Sequence, residues 1–294
     1  MTGTATRFLQ LDVFTPRAGG GNPLGVVIGA EDWGTARMQA FARWTDLVET
    51  TFLLPPTGPQ ASYRVRIFTP DREIPFAGHP SIGTAHAFLE TGGRLGPDGL
   101  VQECGAGLLP IRVAGEGDAR ELAIRAPAAR AIAVGLGAST VLRDVLEGVA
   151  LGTVPPALIE GGRRWWIAEF ANEPALRAWR PDLDAIRALA GESGGLGLAA
   201  FARSRDPDFD LVVRAFPLGV GIVEDPASGA ANGLIGAWIA MAEPDGPLAR
   251  GYRVSQGREL GRDARLRVTI ESADSIWVGG QTRTVIDGAL AWPD

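Results

Sequence analysis

The sequence predicts an α+β fold of two pseudo-symmetric half-domains, each a β-barrel-like sheet wrapped around a central helix. Three observations carry this. Phe76-Ala77-Gly78-His79-Pro80-Ser81-Ile82-Gly83-Thr84-Ala85 returns in altered form, half a chain later, as Val223-Glu224-Asp225-Pro226-Ala227-Ser228-Gly229-Ala230-Ala231. Upstream, Val65-Arg66-Ile67-Phe68-Thr69-Pro70 is echoed by Val213-Arg214-Ala215-Phe216-Pro217. Both motifs lead into segments of small and apolar residues with no acidic or Arg charge before Glu90 or Met241. A helix apolar all round is buried, and in a strand-rich half-domain its natural place is inside a curled sheet.

The elements follow in order. Phe8 to Phe14 alternates as a strand, and Gly25 to Ile28 is a short apolar one after the Gly19–Pro23 turn. Thr35 to Leu47 reads as a helix with Met38, Phe41, Ala42 and Thr45 on one stripe. Strands are expected at 51–54 and 61–68, then a helix from Pro80 to about Glu90, ended by Gly92-Gly93. Runs near 100–103, 108–113 and 121–125 complete the first half. Residues 126–131 suit a linker. Helices are expected at 140–147, 174–179 and 181–190, and strands at 157–160, 164–170, 198–202 and 211–216. A helix from Pro226 through Met241 follows, with tail strands at 252–255, 264–270, 275–279 and 284–289. The first half-domain should span 1–126, joined by the C-terminal strand 281–294, and the second 127–280.

Composition excludes several functions. The 294 residues are 46% hydrophobic and 21% charged, as in soluble globular proteins. No apolar run is long enough to span a bilayer, and Met1 to Arg7 precedes no apolar leader core. One Cys forms no internal disulfide, so a cytoplasmic location is expected. A net charge of −6 with scattered arginines argues against a nucleic-acid surface. There is no lysine, which removes Schiff-base chemistry, a pyridoxal-phosphate anchor and a P-loop lysine together. Two histidines and one thiol cannot build a His- or Cys-rich metal site. Neither cofactor nor metal is expected. Asp206 to Asp210 starts like a calcium loop, but Leu211 and Pro217 stand where it needs Gly and Glu. Gly191-Glu192-Ser193-Gly194-Gly195 matches a hydrolase elbow, yet it follows a helix.

What remains is carboxylate, imidazole, hydroxyl and backbone chemistry. Pro at the first helical position makes the preceding residue the N-cap. Asp225 suits that place and His79 does not, so two readings stay open for Asp225, cap or active-site carboxylate. Free amides at such helix ends cradle an anion such as a carboxylate substrate, with Gly83 and Gly229 allowing close approach. His86 lies within its helix and reads as packing, and Cys104 as an inert thiol. Glu49, between a helix and an apolar strand, is either a solvated helix-end carboxylate or a buried one. Burial would raise its pKa, which suits a group that takes and returns a proton.

Gly21-Asn22-Pro23, Glu49-Thr50-Thr51-Phe52, Arg66-Ile67-Phe68-Thr69-Pro70, Pro75-Phe76-Ala77-Gly78-His79-Pro80, Glu224-Asp225-Pro226 and Gln256-Gly257 with Gly261-Arg262 occur in that order. Over almost its whole length the chain resembles the phenazine-biosynthesis PhzF-like isomerases. The resemblance implies a diaminopimelate-epimerase-like fold with the active site in the cleft between the halves, a homodimer, and cofactor-free acid/base isomerisation. By position Glu49 matches the proton-shuttling glutamate, and His79 and Asp225 the other two active-site polar residues. Asn22 matches a turn bordering the cleft. Ala230 departs from the Ser common there, so a substrate-bonding hydroxyl is lost. That departure also feeds an alternative, a catalytically silent small-molecule binder or regulatory protein on the same fold. Related epimerases use two cysteines, one per half, and Cys104 alone cannot serve that mechanism. Lactone or other hydrolytic chemistry would need an activated water, which no residue marks.

Overall fold

The computed structural model describes residues 6–293, so residues 1–5, on which the leader reading leans, and Asp294 lie outside it. The chain divides into two compact units. Unit 1 comprises 1–125 with 279–294, and unit 2 comprises 126–278.

Unit 1 contains β1 (Arg7–Val13), β2 (Asn22–Ile28), α1 (Thr35–Thr45), β3 (Thr50–Leu54), β4 (Tyr63–Phe68), β5 (Glu73–Ile74), α2 (Gly78–Glu90), β6 (Leu100–Cys104), β7 (Gly107–Ala114) and β8 (Glu121–Arg125). Unit 2 contains β9 (Arg130–Val134), α3 (Thr140–Val145), β10 (Ala157–Gly161), β11 (Arg163–Phe170), α4 (Glu173–Ala178), α5 (Leu183–Ser193), β12 (Leu198–Arg203), β13 (Leu211–Phe216), α6 (Gly229–Ala242), β14 (Gly251–Gln256) and β15 (Ala264–Ser272). The chain returns to unit 1 within β16 (Ser275–Gly280) and ends in β17 (Thr282–Ala289).

In unit 1 the strands run β17-β1-β2-β3-β4-β6-β7-β8 across the sheet. The β2–β3 and β4–β6 pairs are parallel and the others antiparallel. The parallel pairs are bridged by α1 and α2 respectively. Unit 2 repeats the plan as β9-β10-β11-β12-β13-β14-β15, again with two parallel pairs, β11–β12 and β13–β14. Here α4 with α5, and then α6, make the crossovers. The sequence echo is thus a duplicated order of strand pairing.

The motif helices occupy the inside. Helix α2 packs on β1, β2, β3, β4, β6, β8 and β17, with His79 to Ala87 buried without a break. Helix α6 packs on β10, β11 and β15, with Ala231 to Ile239 buried. Outside unit 1, α1 lays Met38, Phe41 and Ala42 on Val27, Phe52, Leu54 and Phe68. Sheets covered on both faces explain why β3 and β13 are buried at every residue instead of alternating. At Gly83 a Cβ would lie 2.3 Å from Leu24 Cδ2, and at Gly236 3.0 Å from Val268 Cγ1. These helix glycines let α2 and α6 approach their strands closely. No helix among the described residues is long and apolar enough to cross a membrane.

Three boundaries differ instructively from expectation. Helix α2 starts at Gly78, with Ala77 extended (φ −152°, ψ 147°), so Pro80 is the third helical residue and His79 is no cap. Its missing N–H costs nothing there, because first-turn amides have no intrahelical acceptor. Helix α6 starts at Gly229 instead of Pro226. The Asp225 carboxylate accepts from Ala227 N (3.1 Å), a turn that competes with helix, and Ser228 caps instead by accepting from Ala231 N at 3.3 Å. Strand β9 overlaps the end of the expected linker, since Ile132 and Val134 stay exposed and give no burial pattern.

Candidate active site

Glu49 closes the short connection from α1 to β3. Helix α1 stops where Asp46 takes a left-handed conformation (φ 54°), and Thr45 Oγ1 meets Thr50 Oγ1 at 2.9 Å, pinning the two ends of the connection. The Glu49 side chain is 13% exposed and that of His79 only 8%. His79 stands in the first turn of α2, and its Nε2 lies 3.5 Å from Oε2 of Glu49. Unit 1 therefore brings two of the three expected catalytic residues together.

Burial pushes the His79 imidazole down to about 4, opposed in part by its hydrogen bond to the Pro23 carbonyl. At neutral pH the ring is uncharged, so its approach to Glu49 is not an ion pair. Nε2 makes no hydrogen bond among the described residues, which leaves the 3.5 Å approach as its polar contact. Pro23 follows Asn22, a buried residue at the start of β2 opposite Val13. The glycine-asparagine-proline segment thus supplies the acceptor that orients the imidazole.

His86, two turns along the same helix, faces β17, with Nε2 3.1 Å from Thr284 Oγ1. Burial also pushes it down to about 4, with Glu90 opposing and Arg120 and Arg283 reinforcing. An unfolded histidine takes its proton near 6.5 and these two only near 4, so between those values the unfolded chain binds more protons. Stability is expected to fall as pH drops through that window and to level off below it. Each ring contributes on the order of 1 kcal/mol per pH unit. Urea unfolding at pH 7 and pH 5 checks this: His86→Gln should shrink the wild-type loss by about 1–2 kcal/mol.

In unit 2, Asp225 precedes α6, and its backbone N–H donates to Ala215 O at 2.9 Å. Gln256 holds this loop from β14. Its side-chain amide donates to Asp225 O (2.8 Å) and its oxygen accepts from Asn232 Nδ2 (2.9 Å) and Ser228 N (3.3 Å). Gly257 then lets the chain pass: its φ is +89°, and a Cβ would lie 2.6 Å from the Pro226 carbonyl oxygen. Gly257→Ala is expected to cost about 1–3 kcal/mol, read by denaturant unfolding, because both the dihedral and the backbone contact resist it. Sequence pattern gives Ser228, Asn232 and Gln256 no individual role, although Gln256-Gly257 is one of the ordered motifs.

The Arg-x-Phe echo has a structural meaning of its own. Arg214 binds Glu224 side-on, both contacts 2.9 Å, and donates to Leu176 O and Trp179 O while lying over Phe216. Arg66 binds Glu73 in the same way (2.8 and 2.7 Å) over Phe68. Each clamp fastens the segment that leads into its motif, toward His79 in one unit and Asp225 in the other.

The expected anion donors are placed unevenly. Gly229 and Ala230 are the first two residues of α6, so their amides have no acceptor within the helix, and the Ala230 side chain is exposed. Gly83 sits a turn and a half into α2, where its missing Cβ makes room for Leu24. The open amides of α2 are those of Gly78 and His79. Cys104 is the last residue of β6, with its Sγ 3.6 Å from Gly107 O across the β6–β7 hairpin. Among the described residues no three of His, Cys, Asp and Glu gather closely enough to hold a metal.

Known proteins share this architecture. Residues 11–288 match the family model of phenazine biosynthesis-like protein, PhzC-PhzF. An uncharacterised isomerase from Mesorhizobium japonicum is 34% identical over 96% of this chain and 98% of its own. The trans-2,3-dihydro-3-hydroxyanthranilate isomerase of Pseudomonas aeruginosa is 30% identical over 91% of each chain. The crystal structure of a Bacillus anthracis phenazine biosynthesis protein of the PhzF family superposes with a TM-score of 0.83 at 25% identity, covering 98% of this chain and 100% of that one. With its two-fold repeated, diaminopimelate-epimerase-like architecture and its isomerase relatives, the chain belongs to the phenazine biosynthesis-like (PhzC-PhzF) isomerase family.

Proposed function

We propose that the protein isomerises a small carboxylate-bearing substrate by general acid/base proton transfer, with Glu49 as the proton carrier. The observation that carries this is the buried Glu49–His79 contact at 3.5 Å beside a neutral imidazole. A base that must also act as an acid is served by a neighbour that accepts a hydrogen bond from its protonated form, and an uncharged imidazole whose N–H is committed to Pro23 offers Nε2 for that. Glu49 removes a proton from a carbon activated by a neighbouring unsaturated or carboxyl group and returns it elsewhere on the same face. Asp225 positions substrate or relays protons, as the family resemblance assigns it. The open first-turn amides of Gly78 and His79, and of Gly229 and Ala230, are donors suited to a carboxylate. Absence of lysine removes imine chemistry as a route to the same outcome. The reading includes a cytoplasmic homodimer.

The test is deuterium incorporation. Trans-2,3-dihydro-3-hydroxyanthranilate, the compound in the name of the Pseudomonas relative, and a panel of small unsaturated carboxylates are incubated with the protein in D2O. NMR and mass spectrometry should show solvent deuterium entering at least one compound as its double bond moves. Binding by thermal shift with no exchange in any bound compound would overturn the proposal in favour of a silent binder.

A further inference from the structure

On unit 1 lies a cavity of about 480 Å3 that neither Glu49 nor His79 lines. Its walls include Arg64, Arg66, Glu73, Pro75, Glu103 and Cys104. It opens where the edge of β4 forks. Strand β4 pairs with β6 at Tyr63 and Arg64 and with β5 at Ile67 and Phe68, so among the described residues Val65 and Arg66 have no ladder partner on that edge. The charged side chains in the walls already have hydrogen-bond partners, with one exception. Arg66 is taken by Glu73 and by Thr35 Oγ1 at 2.8 Å. Glu103 is taken by Thr57, through N at 2.8 Å and Oγ1 at 2.5 Å. The Arg64 guanidinium acts on the charge of Glu103, opposite it on β6, yet its buried Nε–H has no acceptor among the described residues. A buried donor without an acceptor forfeits its hydration with no return, unless something arrives to accept it.

We propose that this cavity binds a small oxyanion, carboxylate or phosphate, through the Arg64 guanidinium. The Nε–H and neighbouring Nη–H form a parallel pair matched to two oxygens of such a group. Two residues along the strand, Arg66 makes that same side-on contact with Glu73. Arg64 and Arg66 face Glu73 and Glu103, so the cavity as a whole is nearly balanced in charge. Binding is therefore local to Arg64 and weak, in the millimolar range.

Cys104 is the chain's single cysteine and lines the cavity, so it reports occupancy. Its alkylation by neutral iodoacetamide is timed in phosphate, acetate or malonate against sodium chloride of equal ionic strength. An oxyanion at about twice its Kd should slow labelling about threefold. Protection by phosphate alone identifies a phosphate site, and protection by the acids alone a carboxylate site. Arg64→Gln should abolish protection, while Glu49→Gln should keep it, which separates this cavity from the proposed catalytic pair. Equal rates in every salt, or equal protection in Arg64→Gln, would overturn the proposal. Where the thiol is too slow to label, the Arg64 side-chain N–H resonance is followed through the same titrations. It should move in the oxyanion that binds, and a resonance that moves in none of them contradicts the proposal.

Discussion

Glu49→Gln is expected to lower solvent deuterium exchange into a bound substrate about a thousandfold, with the melting temperature nearly unchanged. The amide has the shape of the carboxylate but neither takes nor gives up a proton at neutral pH. His79 is uncharged at pH 7, so the substitution leaves no buried imidazolium without its partner. The comparison with His79→Gln is informative. That variant keeps the carboxylate but loses the ring bound to Pro23, so exchange should fall less steeply. Exchange in Glu49→Gln within tenfold of wild type would remove Glu49 from the mechanism.

The second large effect concerns stability. Arg214→Met or Glu224→Gln alone should destabilise the protein by roughly 3–5 kcal/mol, because each leaves a buried group without its partner. The two side chains are only 5% and 8% exposed. Arg214 also donates to the carbonyls of Leu176 and Trp179, each of which then loses one of its donors. Replacing both together, Arg214→Met with Glu224→Leu, should recover much of that loss, since no isolated charge remains. The equivalent clamp in unit 1 is a built-in control. Arg66 and Glu73 are 23% and 39% exposed, so Arg66→Met should cost about 1 kcal/mol. Urea midpoints of the four variants decide it, and equal losses at Arg66 and Arg214 would contradict the burial argument.

Much of this was legible in the sequence because it depends on local pattern. The strand of 211–216 and the inward helices follow from apolar runs that no solvent-facing element would carry. The Arg-x-Phe echo pointed to equivalent positions, though its carboxylate partners sit seven and ten residues later and gave no periodic signal. What escaped was decided by competing hydrogen bonds and by contacts across distant strands. Pro226 resembles a helix start, but the Asp225 carboxylate takes the Ala227 amide and Ser228 takes the cap. Gln256 fastens a loop thirty-one residues away, which spacing alone does not announce. Gly83 suggests room for a ligand, yet its space belongs to Leu24, a neighbour visible only after folding. Glu49 and His79 come together through a tight turn after α1 and an early start to α2, two details of chain geometry that motif order implies but does not explain.

The pairing of β17 with β1 joins the last strand of the described chain to the first. Unit 2 is one continuous stretch, 126–278, and has everything it needs before that strand exists. In a chain shortened before β17, then, the segment carrying Asp225 can reach its final form while the sheet around α2 still lacks an edge. A released chain shortened to end near residue 280 should show unit 2 protected from protease and unit 1 still open to it. The pair Glu49 and His79 would be among the last parts of the molecule to settle.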